Sequence, residues 1–121
     1  MAQVTKATNR WAAVGVAALD GKSLAASARI LVVAVGRVEN SNMEWREGRT
    51  SLRRWGKAPT VAEGISATII LPRRARITAL DGTGTPMQPV PVPSVDGRFR
   101  FDIGPQYQTL YYAVQSASPA R

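Results

Sequence analysis

Along most of this chain apolar residues recur at every second position, in short runs closed by Gly, Pro or Asp-Gly. That is the pattern of β-strands joined by turns, not of helices. In residues 11–19, WAAVGVAAL, Ala12, Val14, Val16 and Ala18 line one face, with Trp11, Ala13, Gly15 and Ala17 on the other. The alanines would also suit a helix, but the paired valines and Gly15 favour extended structure. After the Asp20-Gly21 turn, residues 29–38, RILVVAVGRV, are apolar on both faces: Leu31, Val33 and Val35 alternate with Ile30, Val32 and Ala34. Such a strand is expected to be central and covered on each side.

Further on, residues 60–63 and 66–71 make two extended pieces broken at Gly64, and residues 76–80 make another, closed by Asp81-Gly82 and the GTGTP turn. The PVPVP run at 89–93 lacks the donors for a full ladder and belongs at an edge. In RFRFDI, residues 98–103, Phe99, Phe101 and Ile103 point inward while Arg98, Arg100 and Asp102 face water. In residues 109–115, Leu110, Tyr112 and Val114 share the inner face, and Tyr111 and Ala113 the outer. These runs predict an all-β fold, a two-sheet antiparallel β-sandwich of about eight strands. It would occupy residues 11–116, with 1–10 a flexible lead and 117–121 a tail.

One connection breaks the pattern. Residues 36–59, GRVENSNMEWREGRTSLRRWGKAP, hold Trp45, Trp55 and a concentration of arginines. A connection of that length in a compact domain is either functional or disordered, and its two large aromatics argue against disorder.

Composition narrows the chemistry. The chain has neither cysteine nor histidine, so disulfides, thiolate metal sites and Ser/His or Cys/His nucleophiles are absent. The nearest carboxylate pair, Glu44 and Glu47, sits among arginines, where ion pairing explains it better than glycoside hydrolysis. Gly82–Thr85 lacks the lysine and helix of a phosphate loop, and no EF-hand spacing occurs. The composition therefore points away from an enzyme, and no cofactor is expected. A calcium ion held by backbone carbonyls and an acid or two would leave no mark in a sequence. No apolar run approaches a membrane span, and the N-terminus carries no signal-peptide core.

The net charge of +8 comes from 16 basic and 8 acidic residues, which raises the prospect of an anionic partner. Arg46, Arg49, Arg53, Arg54, Arg73, Arg74 and Arg76 could form a strip along which Trp45 and Trp55 stack bases. Glu44 and Glu47 interrupt that strip and no RNA-binding signature accompanies it, so nucleic acid is the weaker alternative. Carbohydrate suits the rings better. Trp11, Trp45, Trp55, Tyr107, Tyr111 and Tyr112 exceed what a core already supplied with Val, Ile, Leu and Phe requires. A ring over about 60 Å² of a sugar's C–H face contributes on the order of 1.5 kcal/mol. Glu39, Asn40, Asn42, Arg49 and Gln115 are candidate hydrogen-bonding partners for hydroxyls.

The turn LDGKSL at 19–24, AVGRVEN at 34–40, Met43 with Trp45, RTS at 49–51, WGKAP at 55–59, Glu63-Gly64 and TLYY at 109–112 together cover most of the chain. In these it resembles the C-terminal β-sandwich modules of large bacterial glycoside hydrolases. The resemblance implies an accessory domain of a secreted polysaccharide-degrading enzyme, a carbohydrate-binding module for β-linked cell-wall glucans such as cello-oligosaccharides, mixed-linkage glucan or xyloglucan. Its partners would be the polysaccharide and the parent catalytic domain in cis. Trp45, Trp55 and Tyr111, with Trp11 as a fourth, would be the platforms; Glu39, Asn40 and Arg49 would bond the hydroxyls. The alternative is a structural domain docked on the catalytic barrel through the same rings. Arg53-Arg54 departs from that family by adding positive charge.

Overall fold

The computed structural model describes the backbone of residues 3–7 and all of residues 11–116. Its strands in chain order are β1 (Gln3–Ala7), β2 (Ala13–Ala18), β3 (Arg29–Val35), β4 (Val38–Ser41), β5 (Glu44–Trp45), β6 (Leu52–Arg54), β7 (Lys57–Ala62), β8 (Ala67–Leu71), β9 (Ala75–Leu80), β10 (Pro86–Val90), β11 (Ser94–Val95), β12 (Arg98–Ile103) and β13 (Tyr111–Ser116). A four-stranded sheet has the order β1-β8-β12-β11, a five-stranded sheet the order β10-β9-β13-β3-β2, and β4-β7 and β5-β6 form separate pairs. Every ladder is antiparallel. The chain is all-β, as its alternation predicts.

The expected count of about eight strands is too low. Residues 36–59 are not a loop: they contain β4, β5, β6 and the start of β7, paired into a small lobe. The expected polar lead likewise contains β1, which pairs with β8 and carries a register shift between Val4 and Lys6. A backbone ladder along a sheet edge asks little of side-chain hydrophobicity, so neither element announces itself by alternation. The tail expected at 117–121 lies outside the described residues.

Alternate residues of the two larger sheets meet in one apolar cluster. Ala67, Ile69, Leu71, Phe101 and Ile103 come from one sheet; Val32, Ala34, Ile77, Ala79, Tyr112 and Val114 come from the other. Tyr112 lies opposite Val32 on β3 and Ala79 on β9 and is 1% exposed. Tyr107 meets its ring edge-on, with centroids 6.0 Å apart and planes at 89°. Its phenol oxygen reaches the Gly104 backbone, and burial pushes its pKa above the usual tyrosine value. Truncating a ring so placed costs about 3–5 kcal/mol.

The second face of β3 departs from expectation. Leu31, Val33 and Val35 are only partly buried. The five-stranded sheet thus has one face in the core and one open.

Residues 21–28 are tied back onto the sheet through Asp20. Its Oδ1 accepts from the Ser27 hydroxyl at 2.7 Å and its Oδ2 from the Ala28 N–H at 2.9 Å. Ser27 is fully buried, and its carbonyl accepts from an Arg73 guanidinium N–H at 2.6 Å. The Ser27 hydroxyl first, then the Ala28 amide, bring the Asp20 carboxyl from 3.8 down to about 2. A carboxyl depressed on folding stabilises fully above its unfolded pKa and loses that contribution as pH falls through its folded one. Chemical denaturation between pH 4 and 2 is therefore expected to lose stability more steeply in the wild type than in Asp20→Asn. Equal slopes would show that the Ser27 and Ala28 bonds carry no net stabilisation.

Candidate functional site

The ligand residues read from the sequence fall into two separate places. The first is the lobe. Glu39 on β4 receives the Trp45 indole N–H at 2.9 Å on Oε1 and a bond from Arg49 on the same oxygen, with Arg37 Nε 3.7 Å away. The Arg49 guanidinium also lies over the Trp45 ring, 4.8 Å from its centroid, a cation–π contact. Arg49 first, then the indole and the charge of Arg37, hold the Glu39 carboxyl below its ordinary value. Asn40 donates to the Trp55 carbonyl at 3.1 Å and accepts from the Thr60 hydroxyl at 2.8 Å. Glu39, Asn40 and Arg49 are thereby engaged in building the lobe. One face of Trp45 is occupied by Arg49, while Trp55 is 74% exposed.

The lobe is shaped by backbone as much as by side chains. Asn42 and Arg49 take left-handed φ values of 59° and 53°, which marks Asn42 as a turn residue. Gly56 has φ 75°, and a Cβ there would stand 2.4 Å from the Ser41 carbonyl oxygen and 2.8 Å from the Met43 nitrogen. Only glycine fits. The base of the lobe is held by Glu63, whose backbone pairs with Gly36 and Arg37 at 2.9 and 2.7 Å and whose side chain accepts from the Arg37 N–H at 3.1 Å. Gly56→Ala is expected to cost about 2 kcal/mol or more through the strained φ and the clash. Hydrogen exchange should read this as lost protection in β4–β7 with β8, β9 and β13 unchanged. Retained lobe protection would contradict the close approach.

The second place is the open face of the five-stranded sheet, where cross-strand register sets three rows. Tyr111 stands between Val33 and Leu80, with Gly15 beyond Val33. Ala113 stands between Leu31 and Thr78, with Ala17 beyond Leu31. Gln115 stands between Arg29 and Arg76. The β9 half of this face forms a cleft of about 740 Å³, walled on one side by the 81–86 turn and on the other by Leu19. Asp81 makes that wall rigid: its Oδ1 accepts from the Thr83 N–H at 2.8 Å, the Thr83 hydroxyl at 2.7 Å and the Thr85 N–H at 2.9 Å. These bonds lower its pKa, the Thr83 hydroxyl most.

Tyr111 and Gln115 are the sequence candidates that the cleft brings together. Trp11 sits just ahead of β2, 63% exposed. Among the described residues the one ring-to-ring contact is Tyr107 with Tyr112, so no two of Trp11, Trp45, Trp55 and Tyr111 touch. The arginines grouped as a strip also divide. Arg49 and Arg54 pair with Glu39 and Glu44, Arg73 bonds the Ser27 carbonyl, and Arg76 joins the cleft. Sequence reasoning missed Leu31, Thr78, Leu80, Arg29 and Arg76 as cleft residues. Their alternation was visible, but their convergence depends on the strand order β9-β13-β3. Among the described residues no three acidic side chains gather as a metal site. No family model matches the chain, and no curated protein or solved structure matches it either.

Proposed function

We propose that the chain is a non-catalytic carbohydrate-binding module, its two larger sheets the layers of a β-sandwich, and that it binds a β-linked glucan chain in the cleft on the open face of the five-stranded sheet. It would hold an attached glycoside hydrolase near its substrate by raising effective concentration. The observation that carries the reading is Tyr111. Its ring stands outward on the central strand of an uncovered face, with apolar Leu31 and Leu80 beside it and the hydrogen-bonding groups of Thr78 and Gln115 within two rows. A flat apolar ring flanked by amide and hydroxyl groups is what a sugar's C–H face and its hydroxyls require. This moves the proposed site from the lobe, where Glu39 and Arg49 hold each other and Asn40 is bonded to Trp55 and Thr60, to the sheet.

Burial of the Tyr111 ring contributes about 1.5 kcal/mol, roughly a factor of ten in affinity. Affinity electrophoresis through gels containing hydroxyethylcellulose, mixed-linkage β-glucan or xyloglucan should retard the wild type in at least one. Titration of cellohexaose should then be about tenfold weaker for Tyr111→Ala. Unchanged affinity in that variant with a loss in Trp55→Ala would return the site to the lobe.

A second reading has its own observation. The β2 half of the same face, with Ala13, Gly15 and Ala17 exposed beside Val33 and Val35, is flat, small and apolar. A surface of that kind suits protein packing, and the catalytic domain of a parent chain is its natural occupant. That reading predicts no retardation in any gel of the panel, for wild type and Tyr111→Ala alike.

A further inference from the structure

We infer that the cleft favours a glycan whose sugars carry carboxylates over the neutral chain of the same linkage; this rests on the cleft being the glycan site. The inference starts from the row at the cleft's far end. Gln115 on β13 has Arg29 as its partner on β3 and Arg76 as its partner on β9, so all three side chains leave the same face of the sheet. Neighbouring strands lie about 4.8 Å apart. The two arginine Cα atoms are therefore roughly 10 Å apart, about the span of a disaccharide. Both line the cleft and both are exposed.

Neither guanidinium has a carboxylate partner among the described residues. Among the described residues the ion pairs are Arg37–Glu39, Arg49–Glu39 and Arg54–Glu44. The two acids nearest this end in sequence are committed elsewhere: Asp20 to Ser27 and Ala28, Asp81 to Thr83 and Thr85. Two cations flanking one glutamine create a local positive potential that attracts an anion. A neutral sugar does not respond to it. A carboxylate does, and accepts the paired N–H donors of a guanidinium fork, in the geometry for which arginine is better suited than lysine. Gln115 between them offers a donor and an acceptor for the neighbouring hydroxyls. Leu31 and Tyr111, one and two rows away, supply the apolar floor that the sugar ring needs. The order of features along β13 is thus ring, small floor, amide with flanking cations, in agreement with a chain lying along the strand and presenting its acid group at the Arg29–Arg76 end.

The test compares two ligands that differ only in that group: cellohexaose, and the β-1,4-linked glucuronate hexamer in which each C6 hydroxymethyl is a carboxylate. Calorimetric titrations use the wild type, the double variant Arg29→Gln/Arg76→Gln and Tyr111→Ala, at low and at physiological salt. The hexauronate is expected to bind the wild type at least tenfold tighter than cellohexaose at low salt, with the margin shrinking as salt rises. The double variant should lose the preference and bind the two ligands alike. Both altered side chains are exposed, and an unchanged near-ultraviolet circular dichroism spectrum confirms that the fold is retained. Equal affinity of the wild type for the two hexamers, with Tyr111→Ala weakening both, overturns the charge selection and leaves the glycan site standing. A preference for the acid that survives in the double variant assigns it to the general +8 charge and overturns the inference as well. Binding of neither ligand removes the glycan site and this inference together.

Discussion

The structure depends on the register of one strand. β13 is hydrogen-bonded on both sides, to β9 and to β3; all six of its residues pair with β9 and the first five, Tyr111 to Gln115, pair with β3 as well. Two tyrosines stand next to each other at positions 111 and 112. Because side chains alternate, the register decides which is interior and which is outward, and a slip of one residue would exchange them. The interior choice has stringent requirements. Tyr112 is enclosed by Val32, Ala79 and the edge of Tyr107, and its phenol oxygen meets the Gly104 backbone. Ala79 opposite it is small enough to admit the ring. With that ring seated, Tyr111, Ala113 and Gln115 have no choice but the open face. The core and the candidate site are two readouts of one pairing.

Around this axis the molecule divides into parts with different sources of order. The two larger sheets share a single apolar cluster, and burial orders them. The lobe of β4 to β7 contributes no residue to that cluster, and every residue of β7 is exposed. Its order comes from hydrogen bonds and charge: the Glu39 carboxylate drawing in an indole and two guanidiniums, Asn40 bridging to Trp55 and Thr60, Glu63 fastening the base. Interactions of this sort contribute on the order of 1 kcal/mol apiece and weaken where water reaches them. The lobe should open locally at a lower free energy than the sheets.

Alternation made the inward residues legible: Phe101 and Ile103 in RFRFDI, Tyr112 and Val114 in the last strand, and the outward turn of Tyr111. What stayed hidden was of two kinds. Strands whose side chains do not alternate in polarity, such as Lys57–Ala62, are held by their ladders, and a ladder partner twenty residues away leaves no local trace. The second kind is convergence. Arg29 and Arg76 lie far apart in the chain and become neighbours of Gln115 only because β13 inserts between β3 and β9. The aromatic content of the 36–59 segment drew attention there, whereas its charged residues chiefly stabilise its own hairpins. The doubly apolar run at 29–38 predicts a strand covered on both sides; the outer residues of Arg29–Val35 instead floor an open face.

The two rims of the five-stranded sheet are unequal. On the β10 side, Pro86 and Pro89 lack amide hydrogens, and the ladder is further disturbed by a shift between Pro86 and Gln88. An approaching peptide finds few donors there, a common safeguard against runaway strand addition. The β2 rim has none: Ala13–Ala18 reads AVGVAA, without a charge, a proline or a bulge, and among the described residues no strand claims its outer hydrogen-bonding groups. Any growth of this sheet beyond its five strands, by a foreign peptide or by a second molecule, therefore has one direction open to it.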